Sequence, residues 1–138
     1  MPVATIQRDA ASAEFFDGTA RGELLVRRCA ACAHYDAPQS LSCASCGSDD
    51  LRWTPAQGTG TIASWTVLHG RPRDGEPAPQ AVAAIVELDE VPWLHVRITG
   101  AEPEAIATGQ RVAVDFVCPE GGEAVPVFRL AARPSGSV

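Results

Sequence analysis

The sequence predicts a mainly β protein in which a short N-terminal helical segment and a four-cysteine zinc ribbon precede a five-stranded barrel. Two observations lead to this prediction. Four of the five cysteines form two CxxC pairs in the first third of the chain. Five short apolar stretches with strand periodicity follow them, and turn residues rather than helices separate these stretches. The predicted units are residues 1–22 for the helical segment, 23–57 for the ribbon and 58–138 for the barrel.

The first unit is predicted to contain a short amphipathic helix between Asp9 and Gly22. Gly18 comes directly after the apolar part of this segment, and a glycine at that place is typical of a helix end. Phe15 and Phe16 lie on a segment that is too short to bury both rings by itself. We therefore expect the two rings either to cover the edge of the next unit or to contact a partner protein.

The two cysteine pairs, Cys29 with Cys32 and Cys43 with Cys46, have the spacing of a zinc site. Four cysteines complete a tetrahedral shell and leave no position for a substrate, so the predicted ion is structural. A disulfide framework is typical of secreted chains, and a redox CxxC normally occurs once beside a βαβ pattern, so both alternatives fit poorly. Cys118 lies far from the pairs in sequence and is interpreted as a small strand residue.

The rest of the ribbon is predicted from short apolar segments that flank the two pairs. A strand at Leu24–Val26 precedes the first pair, and Leu51–Trp53 returns after the second. Trp53 is expected to pack onto the cysteine turns. Gly47 follows Cys46 directly, which suits a turn whose backbone needs a positive φ.

The third unit is predicted to contain five strands joined by turns rich in glycine and proline. The strands are Gly60–His69, Ala81–Leu88, Trp93–Thr99, Arg111–Val117 and Val125–Leu130. Five short strands with no long helix between them favour a small closed barrel, of which the OB-fold is the most common five-stranded form. An SH3-like barrel is the alternative.

Alternation within the strands assigns an inner and an outer face to most of the barrel. The predicted inner residues are Val82, Ala84, Val86, Leu88, Leu94, Val96, Ile98, Val112, Val114, Phe116, Phe128 and Leu130. The third strand then turns Trp93, His95 and Arg97 outward together, which makes this row a candidate contact surface. The alternative is an ordinary solvated strand face. For Trp65 and His69 on the first strand, alternation does not decide the side.

The charge of the chain argues against nucleic acid as a ligand. Seventeen acidic residues outnumber eleven basic ones, for a net charge of −6. Proteins that bind the phosphate backbone usually have the opposite balance. There is no basic segment followed by an apolar stretch at the N-terminus, and no apolar run is long enough to cross a bilayer, so we expect a cytoplasmic protein.

No catalytic motif is apparent in the sequence. The three histidines, His34, His69 and His95, are dispersed, and no nucleophile motif or phosphate-binding glycine loop accompanies them. We therefore predict no catalytic residues and a role in binding or assembly. An independent enzyme that uses His69 or His95 as a base is kept as an alternative.

Six motifs in order resemble one protein family. They are Phe15-Phe16-Asp17-Gly18, Gly22-Glu23-Leu24, the two cysteine pairs, Gly58–Val67, Val86–Glu90 and Val125–Arg129. Together they resemble the rubredoxin-like zinc ribbon plus OB-fold proteins of domain of unknown function 35, over nearly the whole chain. Ala33 departs from the family, in which a glycine commonly follows the first pair.

The resemblance implies an accessory role in acyl-CoA metabolism. Family members are similar to subunits that assemble with thiolase-superfamily enzymes, such as thiolases, acyltransferases and aldolases, or with hotdog-fold enoyl-CoA hydratases. The partner then performs the chemistry, and the accessory subunit supports its acyl-CoA site. Phe15 and Phe16 are candidates for contacting the partner, and Arg71, Arg73 and Arg97 for contacting CoA phosphates. A nucleic-acid-binding OB-fold protein is the remaining alternative.

Overall fold

A computed structural model of the chain describes residues 6–131. Within this range, helix α1 spans Ala13–Ala20 and a short 3-10 turn spans Pro103–Ala105. The strands are β1 (Leu25–Cys29), β2 (Tyr35–Asp36), β3 (Leu51–Pro55), β4 (Thr59–His69), β5 (Gln80–Leu88), β6 (Trp93–Ile98), β7 (Arg111–Val117) and β8 (Val125–Leu130). The five predicted barrel strands are confirmed to within one residue at each end.

The N-terminal helix is shorter than the predicted segment, and it does not end at Gly18. It continues to Ala20, and Gly18 is buried inside it. A Cβ atom on Gly18 would lie 2.5 Å from Cγ of Leu25. Glycine therefore allows the helix to approach β1 closely, and the prediction of a helix end at this residue is wrong. The positive φ that follows the helix is found at Gly22, whose φ is 79°.

The ribbon is a three-stranded antiparallel sheet in the order β2-β1-β3. β1 begins one residue later than the predicted strand and continues to Cys29, opposite Leu51 of β3. β2 was not predicted. It has two residues, paired as Tyr35 with Arg28 and Asp36 with Arg27, and so short a strand has no periodicity of its own.

The second sheet closes into a barrel in the order β4-β5-β6-β8-β7. All neighbours are antiparallel except β6 and β8, which run parallel and pair at Ile98 and Phe128. β4 closes the barrel, because Thr59–Thr61 at its start pair with β7 and Gly60–His69 pair with β5. A bulge at Ala63 interrupts the second pairing between Ile62 and Ser64.

The inner face predicted for the barrel is confirmed. Of the predicted inner residues, Val82, Ala84, Val86, Leu88, Ile98, Val112 and Phe128 are buried in one core, and Leu94, Val96, Val114, Phe116 and Leu130 pack against it. Leu24 and Val26, which come from the ribbon side of the predicted boundary at residue 57, belong to the same core. Ribbon and barrel are therefore joined by shared apolar packing, and the exact boundary between them stays a prediction.

One group of ion pairs joins two strands of the barrel, and a second fixes the N-terminal segment to it. The guanidinium of Arg111 on β7 makes two hydrogen bonds of 2.7 and 2.8 Å to Asp89, which follows β5. Arg8 bonds Glu123, which precedes β8, and Asp17 of α1. No helix within residues 6–131 is long and apolar enough to cross a membrane.

Candidate metal centre and outer barrel face

The two cysteine turns have the same backbone hydrogen bonds, so the ribbon carries two copies of one local structure. In each turn the first cysteine donates its N–H to a carbonyl further along and accepts a bond from the residue after the second cysteine. At 2.8 Å each, the bonds are Cys29 N–H to His34 O, Ala33 N–H to Cys29 O, Cys43 N–H to Ser48 O and Gly47 N–H to Cys43 O. Ala33 and Gly47 both have a positive φ, as the sequence predicted for Gly47.

The four cysteine sulfurs form a compact cluster between the two turns. Sγ of Cys29 lies 3.6 Å from Sγ of Cys46, and Sγ of Cys32 lies 3.6 Å from Sγ of Cys43. All four sulfurs are within 4.8 Å of one another, and none is in a disulfide. Four sulfurs at about 2.3 Å from one ion in a tetrahedron would be ~3.8 Å apart, so the cluster fits a zinc ion.

The acidities of these thiols also favour a cation at the centre. The backbone N–H of Cys32, followed by that of Ala31, lowers the pKa of Cys29 to about 7 against the effect of burial. The backbone N–H of Ser48 acts in the same direction on Cys46, but the sulfurs of Cys32 and Cys29 outweigh it and raise this pKa to about 12. Once one thiol has lost its proton, its neighbours therefore lose theirs less readily. A divalent cation removes this repulsion, and binding it releases protons.

Leu51 and a buried carboxylate cover the side of the cluster with Cys29 and Cys43, whereas Cys32 and Cys46 are exposed. Leu51 is 7% exposed and packs with Cys29 and Cys43. Asp36 accepts a 3.2 Å hydrogen bond from the N–H of Ala44 in the second turn, and its other oxygen lies 3.3 Å from Nδ1 of His34. Asp36 thus ties the second turn to β2, a contact that the sequence analysis missed.

Trp53, which was expected to pack onto the cysteine turns, contacts Arg27 and helix α1. The register of β1 and β3 places Trp53 opposite Arg27, two residues before Cys29. The guanidinium carbon of Arg27 lies 4.5 Å from the centre of the Trp53 ring, and Phe15 of α1 meets the same ring edge to face at 6.4 Å. Trp53 therefore connects the ribbon to the helix.

The two phenylalanines of α1 have different surroundings. Phe15 packs against the shared core as well as Trp53, so it covers the edge of the ribbon. Phe16 lines a cavity of about 670 Å³ between the helix and the ribbon, together with Pro38 and Leu41. Leu41 is 85% exposed. Phe15 lines the same cavity and both rings are half-buried, so the two differ in that Phe15 also packs against the core.

The outward row predicted on β6 is present. Trp93 is 56% exposed and donates its indole N–H to Glu87 at 2.9 Å, whereas Ile98 at the other end of the strand is buried. His95 and Arg97 line a second cavity, of about 500 Å³, on the barrel. The row therefore does not form one uniform surface, because Trp93 lies outside this cavity.

Comparison with known families follows the division of the fold. Residues 16–52 match the model for the rubredoxin-like zinc ribbon domain of ChsH2, and residues 53–117 match the model for the C-terminal OB-fold domain of ChsH2. A solved structure titled "Ltp2-ChsH2(DUF35) aldolase" contains a chain that is 31% identical, with a TM-score of 0.77, over 96% of this chain and 100% of that one. The chain belongs to the ChsH2 (DUF35) family.

Two curated relatives extend this comparison. A probable enoyl-CoA hydratase alpha subunit of Thermomonospora curvata is 35% identical over 94% of this chain and 40% of its own length. A DUF35 domain-containing scaffold protein of Pyrococcus furiosus is 31% identical over 54% of this chain and 55% of its own. The chain thus spans about half the length of the curated relatives, or less. A DUF35 protein from Sulfolobus solfataricus, 13% identical with a TM-score of 0.60, shares the fold.

The match to the zinc ribbon model and the sulfur cluster together confirm a site for one structural zinc ion. The match to the OB-fold model confirms the OB-fold barrel. Cys118 is exposed beyond the end of β7 and donates its S–H to the carbonyl of Gly122, and it is not part of the four-cysteine cluster. Arg71 and Arg73 are exposed in the loop between β4 and β5 and do not line the cavity that contains Arg97. That cavity instead contains Ser64 and Thr66, which the sequence analysis did not single out.

Proposed function

We propose that this ChsH2-family chain is a non-catalytic accessory subunit that assembles with a thiolase-superfamily enzyme and supports its acyl-CoA site. The observation that carries the proposal is the match to the ChsH2 chain of an aldolase, because it covers that chain completely. The name of the Pyrococcus furiosus relative, a scaffold protein, points in the same direction. The partner would supply the nucleophile and the base.

The chemistry of the described residues supports a role without catalysis. Four cysteines close the coordination shell of the zinc and leave it no position for substrate. Within residues 6–131, the side chains bonded to the rings of His34 and His69 are Asp36 and Gln80. Neither imidazole is therefore hydrogen-bonded to a hydroxyl or thiol that it could activate.

The cavity between α1 and the ribbon is the proposed docking surface for the enzyme. Phe16 and the exposed Leu41 give it apolar character, and Glu14 and Arg27 add charges of both signs at its wall. Aromatic side chains that enter a partner's pocket often dominate such interfaces. Phe15 lines the same cavity and in addition holds the helix against Trp53.

The end of the barrel that bears the loop between β4 and β5 is the proposed acyl-CoA side. Arg71 and Arg73 lie in this loop, and Arg97 pairs with Ala83, three residues from the start of β5. Guanidinium groups bind phosphate through charge-assisted pairs of hydrogen bonds. Trp93 and His95 lie further along β6 and are proposed to contact the partner or CoA. Nucleic acid and membrane are not among the proposed partners, and free thiolates for zinc suit a cytoplasmic location.

A hotdog-fold enoyl-CoA hydratase is the second candidate partner. The relative in Thermomonospora curvata that bears a hydratase name aligns over 94% of this chain but only 40% of its own length. The accessory role of this chain would be the same with either partner.

Co-purification from the native host, followed by identification of the partner by mass spectrometry, tests the proposal. We expect a thiolase-superfamily subunit, and reconstitution should then show that Phe16→Ala weakens assembly. Arg97→Ala should leave assembly intact and raise KM of the complex for its acyl-CoA. Turnover of an acyl-CoA by the isolated chain, or a partner that is fully stable and active without it, would contradict the proposal.

A further inference from the structure

Two rows of outward side chains cross β4, β5 and β6 side by side. The strand registers align Ser64 with Ile85 and His95, and Thr66 with Ala83 and Arg97. The row between them contains Ala84, which is buried in the core, and Val96, which packs against it. Since successive residues of a strand face opposite sides, the two flanking rows lie on the outer surface of the barrel.

These six side chains line one cavity of about 500 Å³. Small-molecule sites usually have volumes of roughly 300 to 1,000 Å³, so the size suits a small molecule better than a single ion. Ala83 and Ile85 on the central strand form an apolar floor. The walls combine hydroxyls on β4 and the imidazole and guanidinium on β6 with two apolar groups, the 37% exposed ring of Trp65 and Pro126 of β8.

The polar groups of the walls are free to bind a ligand. Within residues 6–131, the side chains of Ser64, Thr66 and Arg97 have no hydrogen-bond partner, and Nε of Arg97 is shielded from solvent. No carboxylate lines the cavity, although the chain as a whole has a net charge of −6. Arg97 also lines a smaller cavity with Glu102 but makes no ion pair within the described residues, and an unpaired arginine in such an acidic chain indicates a site for an anion.

We propose that this cavity binds the phosphoryl group of a small molecule. Neighbouring strands are about 4.8 Å apart, so the two walls are separated by roughly 10 Å of strand backbone. A ligand that contacts both walls needs acceptor oxygens in more than one direction. Phosphoryl groups, and diphosphates in particular, have this arrangement, whereas a lone carboxylate is satisfied by the arginine alone. The organic part of the ligand would lie over Ala83 and Ile85.

This inference rests in part on the proposed function, in which Arg97 binds a phosphate of CoA, and it names the other residues of that contact. The cavity itself is formed by this chain alone. It adds Ser64, Thr66 and His95, and it does not include Arg71 or Arg73. Binding is therefore measured without an enzyme partner. A chain that binds the probe but forms no complex would overturn only the proposed function, and the reverse result would overturn only the phosphoryl site.

Titration of the zinc-loaded, ¹⁵N-labelled chain with inorganic pyrophosphate, followed by amide chemical shifts, tests the site. We expect saturable shifts that centre on Ser64, Thr66, Ala83 and Ile85. Arg97→Gln should weaken binding by about tenfold or more, because charge-assisted hydrogen bonds to the guanidinium are lost. Ala83→Leu should also weaken binding, since it fills the floor of the cavity and leaves Arg97 in place.

Arg52→Gln is the matched control, because it removes the same charge from an exposed position on β3 of the ribbon. It should leave binding of pyrophosphate unchanged. Equal losses in Arg52→Gln and Arg97→Gln would show a general charge effect and overturn the site. Scattered or absent shifts would also overturn it, and so would tighter binding of succinate than of pyrophosphate, since succinate tests the carboxylate alternative.

Discussion

Ala33 and Gly47 occupy the same position in the two cysteine turns and have nearly the same backbone conformation, with φ of 68° and 79°. Each donates its N–H to the carbonyl of the first cysteine of its turn at 2.8 Å. Glycine adopts this conformation without steric cost, whereas in alanine the Cβ approaches the following carbonyl. The first turn of the ribbon therefore carries strain that the second turn avoids.

Exchanging these residues should change stability in opposite directions. We expect Ala33→Gly to raise the free energy of unfolding by about 0.5 to 1 kcal/mol, because relief of the left-handed conformation exceeds the added chain entropy. Gly47→Ala should lower it by about 1 kcal/mol. Its Cβ would have no atom within 4 Å, so φ alone causes the loss. Urea unfolding in excess zinc measures both, and Ala31→Gly is the control that should not stabilise.

The zinc site gives a prediction about metal content. The purified chain should contain about one zinc ion, and Cys43→Ser should lose the metal and aggregate, because zinc binding supplies much of the folding energy of a ribbon. Cys118→Ala should keep full metal content, because Cys118 lies outside the sulfur cluster. Elemental analysis of the two variants decides the matter. A folded, metal-free Cys43→Ser protein would disprove the structural role.

The pair of Asp89 and Arg111 predicts a dependence of stability on pH. The hydrogen bonds from Arg111, followed by that from Thr59, lower the pKa of Asp89 from 3.8 to about 2. A lowered pKa stabilises the folded chain above the unfolded value, and this stabilisation is lost as the pH falls from about 4 to about 2. After allowance for the partial exposure of both side chains, we expect Asp89→Asn to cost about 1 kcal/mol near neutral pH.

Urea unfolding of the wild type and Asp89→Asn across this pH range measures the effect. The difference in unfolding free energy between the two should shrink as the pH falls. Asp50→Asn is the control, because Asp50 is 57% exposed and lies 3.4 Å from Arg52. It should have little effect at any pH. A constant difference for Asp89→Asn would assign its cost to something other than the ion pair.

Phe15 and Phe16 should respond differently to truncation. Phe15→Ala removes a ring that packs against both the core and Trp53, so we expect a loss of about 2 kcal/mol or more in unfolding free energy. Both rings line the open cavity, but the core packing is that of Phe15, so Phe16→Ala should cost less than half as much. Thermal unfolding of the isolated chain compares them. Equal losses would mean that Phe16 supports the fold rather than a surface.

Nucleic acid should bind this OB-fold only weakly. With a net charge of −6, affinity for single-stranded DNA or RNA at physiological salt should be no tighter than roughly 10⁻⁴ to 10⁻⁶ M, the range of non-specific contacts. Fluorescence anisotropy with labelled oligonucleotides at two salt concentrations measures it. A submicromolar complex that persists at high salt would restore the nucleic-acid alternative.

Local patterns were sufficient for the metal site and for most of the barrel. The four cysteines from Cys29 to Cys46 lie close in sequence, and the geometry of each CxxC turn depends on a few adjacent residues. The alternation of β5 to β8 predicted the inner face correctly because the side on which a residue lies is a local property of a regular strand. Glycine at residue 18 shows where a local rule fails, because Leu25 requires it there.

The sequence by itself thus determined a zinc ribbon, a five-stranded barrel and the family. Only the tertiary structure decided how β4 faces its neighbours, because the bulge at Ala63 shifts the alternation and exists through the pairing of β4 with β5. With that shift, Ser64 aligns with His95 and Thr66 with Arg97 on the outer face, and Trp65, although it aligns with the buried Ala84, is 37% exposed and lines the same cavity. These residues are about thirty positions apart in the chain. Strand register brings them together, and register depends on interactions between segments that no single segment encodes.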